Sequence, residues 1–217
     1  MLNTAASSQT NRKRAPRAAT ASAIPLVLDL DGTVVRGNLL VETALAFVRK
    51  HPLQIFMLLV WLLRGRAALK QQLAMRAEVD VEALPLNHDM IAYAAEQAGK
   101  GRQIFIATAA DRAIADKVAQ RIPFVSGVIA SNGQVNLKGA AKAQALRERF
   151  PAGFDYAGDA RADFPVWKAA HSAVVVEASA AVVTKASRIA DVTRVFPRQP
   201  LWRSLIRSLR PHQWAKN

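Results

Sequence analysis

The sequence predicts an α/β fold: a parallel sheet covered on both faces by helices, with a helical insertion over one end. Three observations predict it. Short apolar runs alternate with helical patterns from Leu26 to Ala190. Acidic residues and a threonine stand where several of those runs stop. One long interval, from Asn38 to Gly101, holds helical patterns only.

The strand-like runs are Leu26–Leu30, Gln103–Thr108, Gly127–Ser131, Phe154–Gly158 and Ala173–Glu177. Each is short, apolar and bounded by polar residues or glycine, as strands buried on both faces are. Helical patterns lie between and after them, at Asp111–Arg121, Ala140–Arg149 and Ser179–Ala190. Strands alternating with helices build a parallel sheet. Ligands of such sheets collect beyond the carboxyl ends of the strands. Asp29, Asp31, Thr108 and Asp159 all fall there.

The helical interval reads as a cap inserted into a core of residues 24–196, at about residues 39–90. Within it, "LQIFMLLVWLLRG" (Leu53–Gly65) is apolar on nearly every face. Its run is too short for the roughly twenty residues that span a bilayer. The expectation is a buried cap helix. The alternative is a surface that dips into a membrane or meets a lipid substrate, with Arg64, Arg66 and Lys70 placed to suit an anionic headgroup.

Composition narrows the function. The 217 residues are 51% hydrophobic, enough for one full domain with a sizeable core. Cysteine is absent, so disulfides and thiolate metal sites are excluded. The histidines His51, His88, His171 and His212 are scattered, which argues against a histidine-rich metal centre. The net charge of +14 first suggests nucleic acid or an anionic membrane. Nearly two thirds of that excess lies in the two ends, residues 1–23 and 197–217, which carry no acid. The part between is mildly basic and lacks basic–aromatic interleaving, so nucleic-acid binding is not expected.

Residues 1–23 read as a disordered basic tail. No apolar run follows their basic cluster, so they do not read as a secretory signal. At the other end, Leu201, Trp202, Leu205, Ile206 and Leu209 recur at helical spacing, with Arg203, Arg207 and Arg210 elsewhere on the wheel. A basic amphipathic helix bearing Trp is an interfacial pattern. Residues 197–217 therefore read as a linker towards a membrane region, and their abrupt close at Asn217 suggests a larger region beyond.

The chemistry starts at "PLVLDLDGTVVRGN". A carboxylate can attack phosphorus and form an acyl-phosphate. A second carboxylate two residues on lies on the same side of an extended chain and can serve as general acid and base. Asp29 and Asp31 have that spacing. Gly32 permits a sharp turn, and Thr33 can tie it down. Acids this close, facing phosphate, require a cation, and an all-oxygen donor set suits Mg²⁺. Thr108 and the backbone N–H of Ala109 can hold phosphate oxygens. Lys142 near a helix start can neutralise charge that develops in the transition state, with Lys138 as its competitor. Asp159 reads as a direct Mg²⁺ ligand, and Asp163, four residues on, as an acid that orders the loop around the metal. Asp111 reads as a helix N-cap.

This set resembles the haloacid dehalogenase (HAD) superfamily at all four of its motifs: DLDGT at Asp29–Thr33, the strand ending in Thr108, Lys142, and GDxxxD at Gly158–Asp163. The resemblance covers about residues 25–196. It implies a Rossmann-like three-layer α/β/α sheet, Mg²⁺ dependence and phosphoryl transfer through Asp29, with Asp31 as acid and base. It also implies a metal group of Asp29, Asp31 through its carbonyl, Asp159 and, beside them, Asp163. "SLRPHQWAKN" resembles the entry to the first membrane helix of UbiA-type prenyltransferases, some of which carry an N-terminal HAD-like domain. That implies a C-terminal membrane prenyltransferase partner and a site at the cytoplasmic face of the inner membrane. The substrate it implies is the 5-phosphate of a polyprenyl-phosphoryl ribose. The competing expectations are a non-catalytic docking domain and a soluble sugar-phosphate phosphatase or phosphotransferase.

Overall fold

The computed structural model describes residues 24–65, 69, 72–73, 75–76, 80–131 and 136–198. The tail 1–23 and the amphipathic segment after Arg198 lie outside the described residues. In chain order the described elements are β1 (Leu26–Leu28), α1 (Leu39–Lys50), α2 (Ile55–Leu63), α3 (His88–Gly99), β2 (Ile104–Asp111), α4 (Arg112–Gln120) and β3 (Val125–Ser131). Then follow α5 (Ala140–Arg149), β4 (Asp155–Gly158), α6 (Phe164–Ala169), β5 (Ala173–Val176), α7 (Ala180–Ile189) and β6 (Val192–Phe196).

The strands form one six-stranded sheet in the order β3-β2-β1-β4-β5-β6, and each neighbouring pair is parallel. Alternation along each strand divides the core between two layers. Leu26, Leu28, Ile104, Ile106, Val174 and Val176 face one side, where Met90 and Ala94 of α3 and Ala115 and Val118 of α4 cover them. Val27, Phe105, Tyr156, Ala173 and Val175 face the other, against Leu146 of α5, Trp167 of α6 and Val182 of α7. The predicted three-layer sheet is present.

Two elements differ from the sequence reading. β6 has no counterpart in it. As an edge strand it leaves Thr193, Arg194 and Val195 exposed, so it lacks the apolar signature of a strand buried on both faces. α2 was expected to be buried and is not. Of its nine residues only Trp61 is buried, joined by Phe47 and Leu73 in a small separate cluster. Leu53, Ile55, Phe56, Leu59, Leu62 and Leu63 stand exposed.

Candidate active site

β1 delivers the first acid. Its three residues are buried, and the backbone N–H of Asp29 still donates to the carbonyl of Ala157 at 2.8 Å. The chain then folds back. Val34 and Val35 both donate to the Leu30 carbonyl, and Gly32 donates to the carbonyls of Val35 and Gly37. Gly32 has φ +76°, and a Cβ there would lie 2.2 Å from Oδ2 of Asp159. Glycine is thus required twice, for the left-handed turn and for the close approach of the Asp159 carboxylate.

Thr33 corrects one expectation. Its hydroxyl does not tie the turn; it is buried with no hydrogen-bond partner, and backbone bonds close the loop instead. Asp31 Oδ1 accepts from the backbone N–H of Leu39 at 2.6 Å, so the second acid sits at the N-terminus of α1. Asn38 caps the same helix through Leu40 N–H. Charge and helix dipole agree there.

β2 carries Thr108, fully buried, whose hydroxyl oxygen accepts from Ala110 N–H at 2.9 Å. That bond orients the hydroxyl, and the half-buried Ala109 follows where the register with β3 shifts. Asp111 is the N-cap of α4, accepting from Ala113 N–H.

Lys142, only 4% exposed, projects from the first turn of α5. Its Nζ lies 2.9 Å from Asp29 Oδ1 and 2.9 Å from the hydroxyl of Tyr156. Lys138 is exposed and takes no such place. Tyr156 donates in turn to Asp163 Oδ1 at 3.0 Å. Asp163 Oδ2 accepts from the backbone N–H groups of Asp159 and Ala160. Asp163 thereby holds the loop that carries Asp159.

Carboxylate oxygens of Asp29, Asp159 and Asp163 lie within 4.8 Å of one another. Burial pushes Asp29 up to about 7, against the pull of the Lys142 charge and with a further push from Asp163. Asp159 is also raised to about 7, first by burial and then by the charges of Asp163 and Asp29. One lysine does not balance this set. Three clustered carboxylates short of positive charge, with a glycine clearing space beside one of them, fit a hard divalent cation such as Mg²⁺. Asp29 and Asp159 are the better direct ligands, because both oxygens of Asp163 already accept hydrogen bonds.

No family model matches the chain. An uncharacterized protein, y4nM of Sinorhizobium fredii, is 36% identical over 197 residues. That match takes in 89% of this chain, but the chain spans only 38% of the relative's length. Among solved structures, a HAD family hydrolase from Salmonella enterica serovar Typhi superposes with a TM-score of 0.56 at 14% identity, over 80% of this chain and 68% of that one. A phosphoserine phosphatase captured as a phospho-aspartyl intermediate analogue gives a TM-score of 0.59 at 13% identity, over 85% of this chain and 98% of that one. The fold is the HAD hydrolase fold.

The HAD-like core thus brings Asp29, Lys142, Asp159 and Asp163 into one cluster at the carboxyl edge of the sheet. Asp31 lies just past β1, and Thr108 stands within β2, which runs on to Asp111 and does not end at the threonine as expected. Sequence reading missed Tyr156. Its hydroxyl finds its partners only where Lys142 and Asp163 arrive beside β4, and no local pattern encodes that meeting.

Proposed function

We propose that the protein is a Mg²⁺-dependent phosphomonoesterase that works through an aspartyl-phosphate on Asp29. The observation that carries this reading is the Lys142–Asp29 pair at 2.9 Å, set among the carboxylates of Asp159 and Asp163 on a HAD-type sheet. Bound Mg²⁺, held by Asp29 and Asp159, would offset the charge of these acids and of the incoming phosphoryl group.

The residues divide the work. Leu30 N–H and Lys142 hold Asp29 Oδ1, so Oδ2 is the oxygen that attacks phosphorus. The Oδ2–P bond forms as the ester P–O bond breaks, and Asp31 gives its proton to the leaving oxygen. Asp31 then takes a proton from water, which attacks phosphorus, releases phosphate and restores the Asp29 carboxylate. Thr108 and the Ala109 N–H donate to the phosphoryl oxygens, and Lys142 neutralises their growing charge. The test is hydrolysis of p-nitrophenyl phosphate with Mg²⁺ and with EDTA. Asp29→Asn should lose at least about 10³-fold in kcat. Full activity in that variant contradicts the assignment.

The finer reading is a lipid-linked substrate, a polyprenyl-phosphoryl ribose bearing a 5-phosphate, at the cytoplasmic membrane face beside a prenyltransferase region. Its support is the resemblance of residues 208–217 and the exposed apolar surface of α2. Turnover of that compound should exceed turnover of soluble sugar phosphates; equal or poorer turnover favours a soluble sugar-phosphate phosphatase. Product that depends on an added acceptor would indicate phosphotransfer, and binding without hydrolysis a docking domain.

A further inference from the structure

α2 is built as two faces, and neither is polar. At about 100° per residue, Met57, Leu58 and Trp61 cluster on one side of the helix. That side packs against Phe47, with the Phe47 and Trp61 rings 5.2 Å apart. The remaining positions, Ile55, Phe56, Leu59, Val60, Leu62 and Leu63, sweep an outward arc of about 160° that holds no polar residue. All six are exposed, Leu63 by 80% and Leu59 by 61%. A helix on the surface of a water-soluble domain places its charged residues on that arc. Here the outward side is as apolar as the inward one, and exposed apolar patches of this kind mark an interaction surface.

The charge along the chain on either side of the helix selects the occupant. Residues 43–77 contain six basic residues, Arg49, Lys50, Arg64, Arg66, Lys70 and Arg76, and no acid. Arg64, directly after α2, and Arg49, in the last turn of α1, are exposed. A second copy of the chain would bring the same positive charge against this one. The chain's own segment 197–217 is also basic and without acid, so it too would meet like charge. An anionic bilayer supplies both missing complements, negative headgroups for the basic rim and acyl chains for the apolar arc.

We propose that α2 lies in the plane of an anionic lipid bilayer, with its outward arc in the headgroup–acyl boundary. At nine residues it rests in the interface and does not cross. α1 connects this surface to the site, since its first residue, Leu39, holds Asp31 through the 2.6 Å bond. The docked helix therefore sits one helix length from the second acid.

The test is sedimentation of the full chain with vesicles of phosphatidylcholine alone or mixed with phosphatidylglycerol, and it needs no catalysis. The expected result is binding to the mixed vesicles that weakens as salt rises. Leu59→Asn together with Leu63→Asn, both exposed and outside the buried cluster, should reduce that binding at least about tenfold while leaving the unfolding midpoint unchanged. Absence of binding to anionic vesicles overturns the proposal. Undiminished binding by the double variant overturns it as well, because another surface, such as 197–217, would then carry the affinity. A dimer in sedimentation velocity that the double variant dissociates, without a change in vesicle binding, assigns the arc to a second copy and also overturns it.

Discussion

Asp29 meets opposing demands. In the proposed mechanism it attacks phosphorus as a carboxylate, yet burial and the charge of Asp163 favour its neutral form. Lys142 is the counterweight within the chain. Replacing it by Met should lower kcat by about 10²- to 10³-fold, a loss of the size seen when a transition-state charge stabiliser is removed. The variant's kinetics with p-nitrophenyl phosphate check this. Tyr156 belongs to the same chain of contacts, bonded to Lys142 on one side and Asp163 on the other. Tyr156→Phe should cost about 1–3 kcal/mol in urea unfolding, because it leaves buried charged partners short of a hydrogen bond. The motif residues were legible because their spacing along single strands and turns already encodes the geometry. Tyr156 was not, since its role depends on α5 and the 159–163 loop arriving beside β4. Thr33 was misjudged for a related reason: the backbone of 30–37 closes the turn by itself.

Burial on both faces made β1 and β5 readable as continuous apolar runs, and β2 and β4 as mostly buried ones interrupted by a threonine or an aspartate. β6 pairs on one edge only, and Arg194 sets its guanidinium over the rings of Tyr93 and Phe196, a contact no local pattern announces. α2 exposes the opposite limit. Apolarity predicts that a segment avoids water, but does not say whether protein or lipid covers it. α3 is tied down at its start by Asn87, whose side chain accepts from Met90 N–H. Asn87→Ala should shift the urea midpoint by an amount equal to about 1 kcal/mol. Among caps this one matters to the site indirectly, since α3 packs beneath β1 and β2.

For the whole molecule, acid burial links stability to pH and metal. Asp29 and Asp159 both have folded-state values near 7, above the usual 3.8. Between about pH 4 and 7 the folded state therefore holds more protons than the unfolded chain. Metal-free stability should fall as pH rises through that window. A divalent cation binds the ionised carboxylates, so the rise in Tm on adding Mg²⁺ should be larger at pH 8 than at pH 5. Thermal unfolding at the two pH values, with EDTA or Mg²⁺, checks both signs. The strand order β3-β2-β1-β4-β5-β6 belongs to this scale as well. Sequence reading supplied a parallel sheet but no order, because strand neighbours are chosen by packing between distant segments.

If phosphate passes through Asp29 as proposed, the second acid gives the most direct access to the covalent species. In the proposed mechanism Asp31→Asn would remove the base that activates water, so the covalent species should outlive the first step. Acid-quenched peptide mass spectrometry of this variant, mixed with p-nitrophenyl phosphate and Mg²⁺, reads the attachment site. One added phosphoryl group is expected on Asp29, and none in the Asp29→Asn protein. A phosphoryl group on any other residue, or its absence from a variant that still releases a burst of nitrophenol, would contradict it.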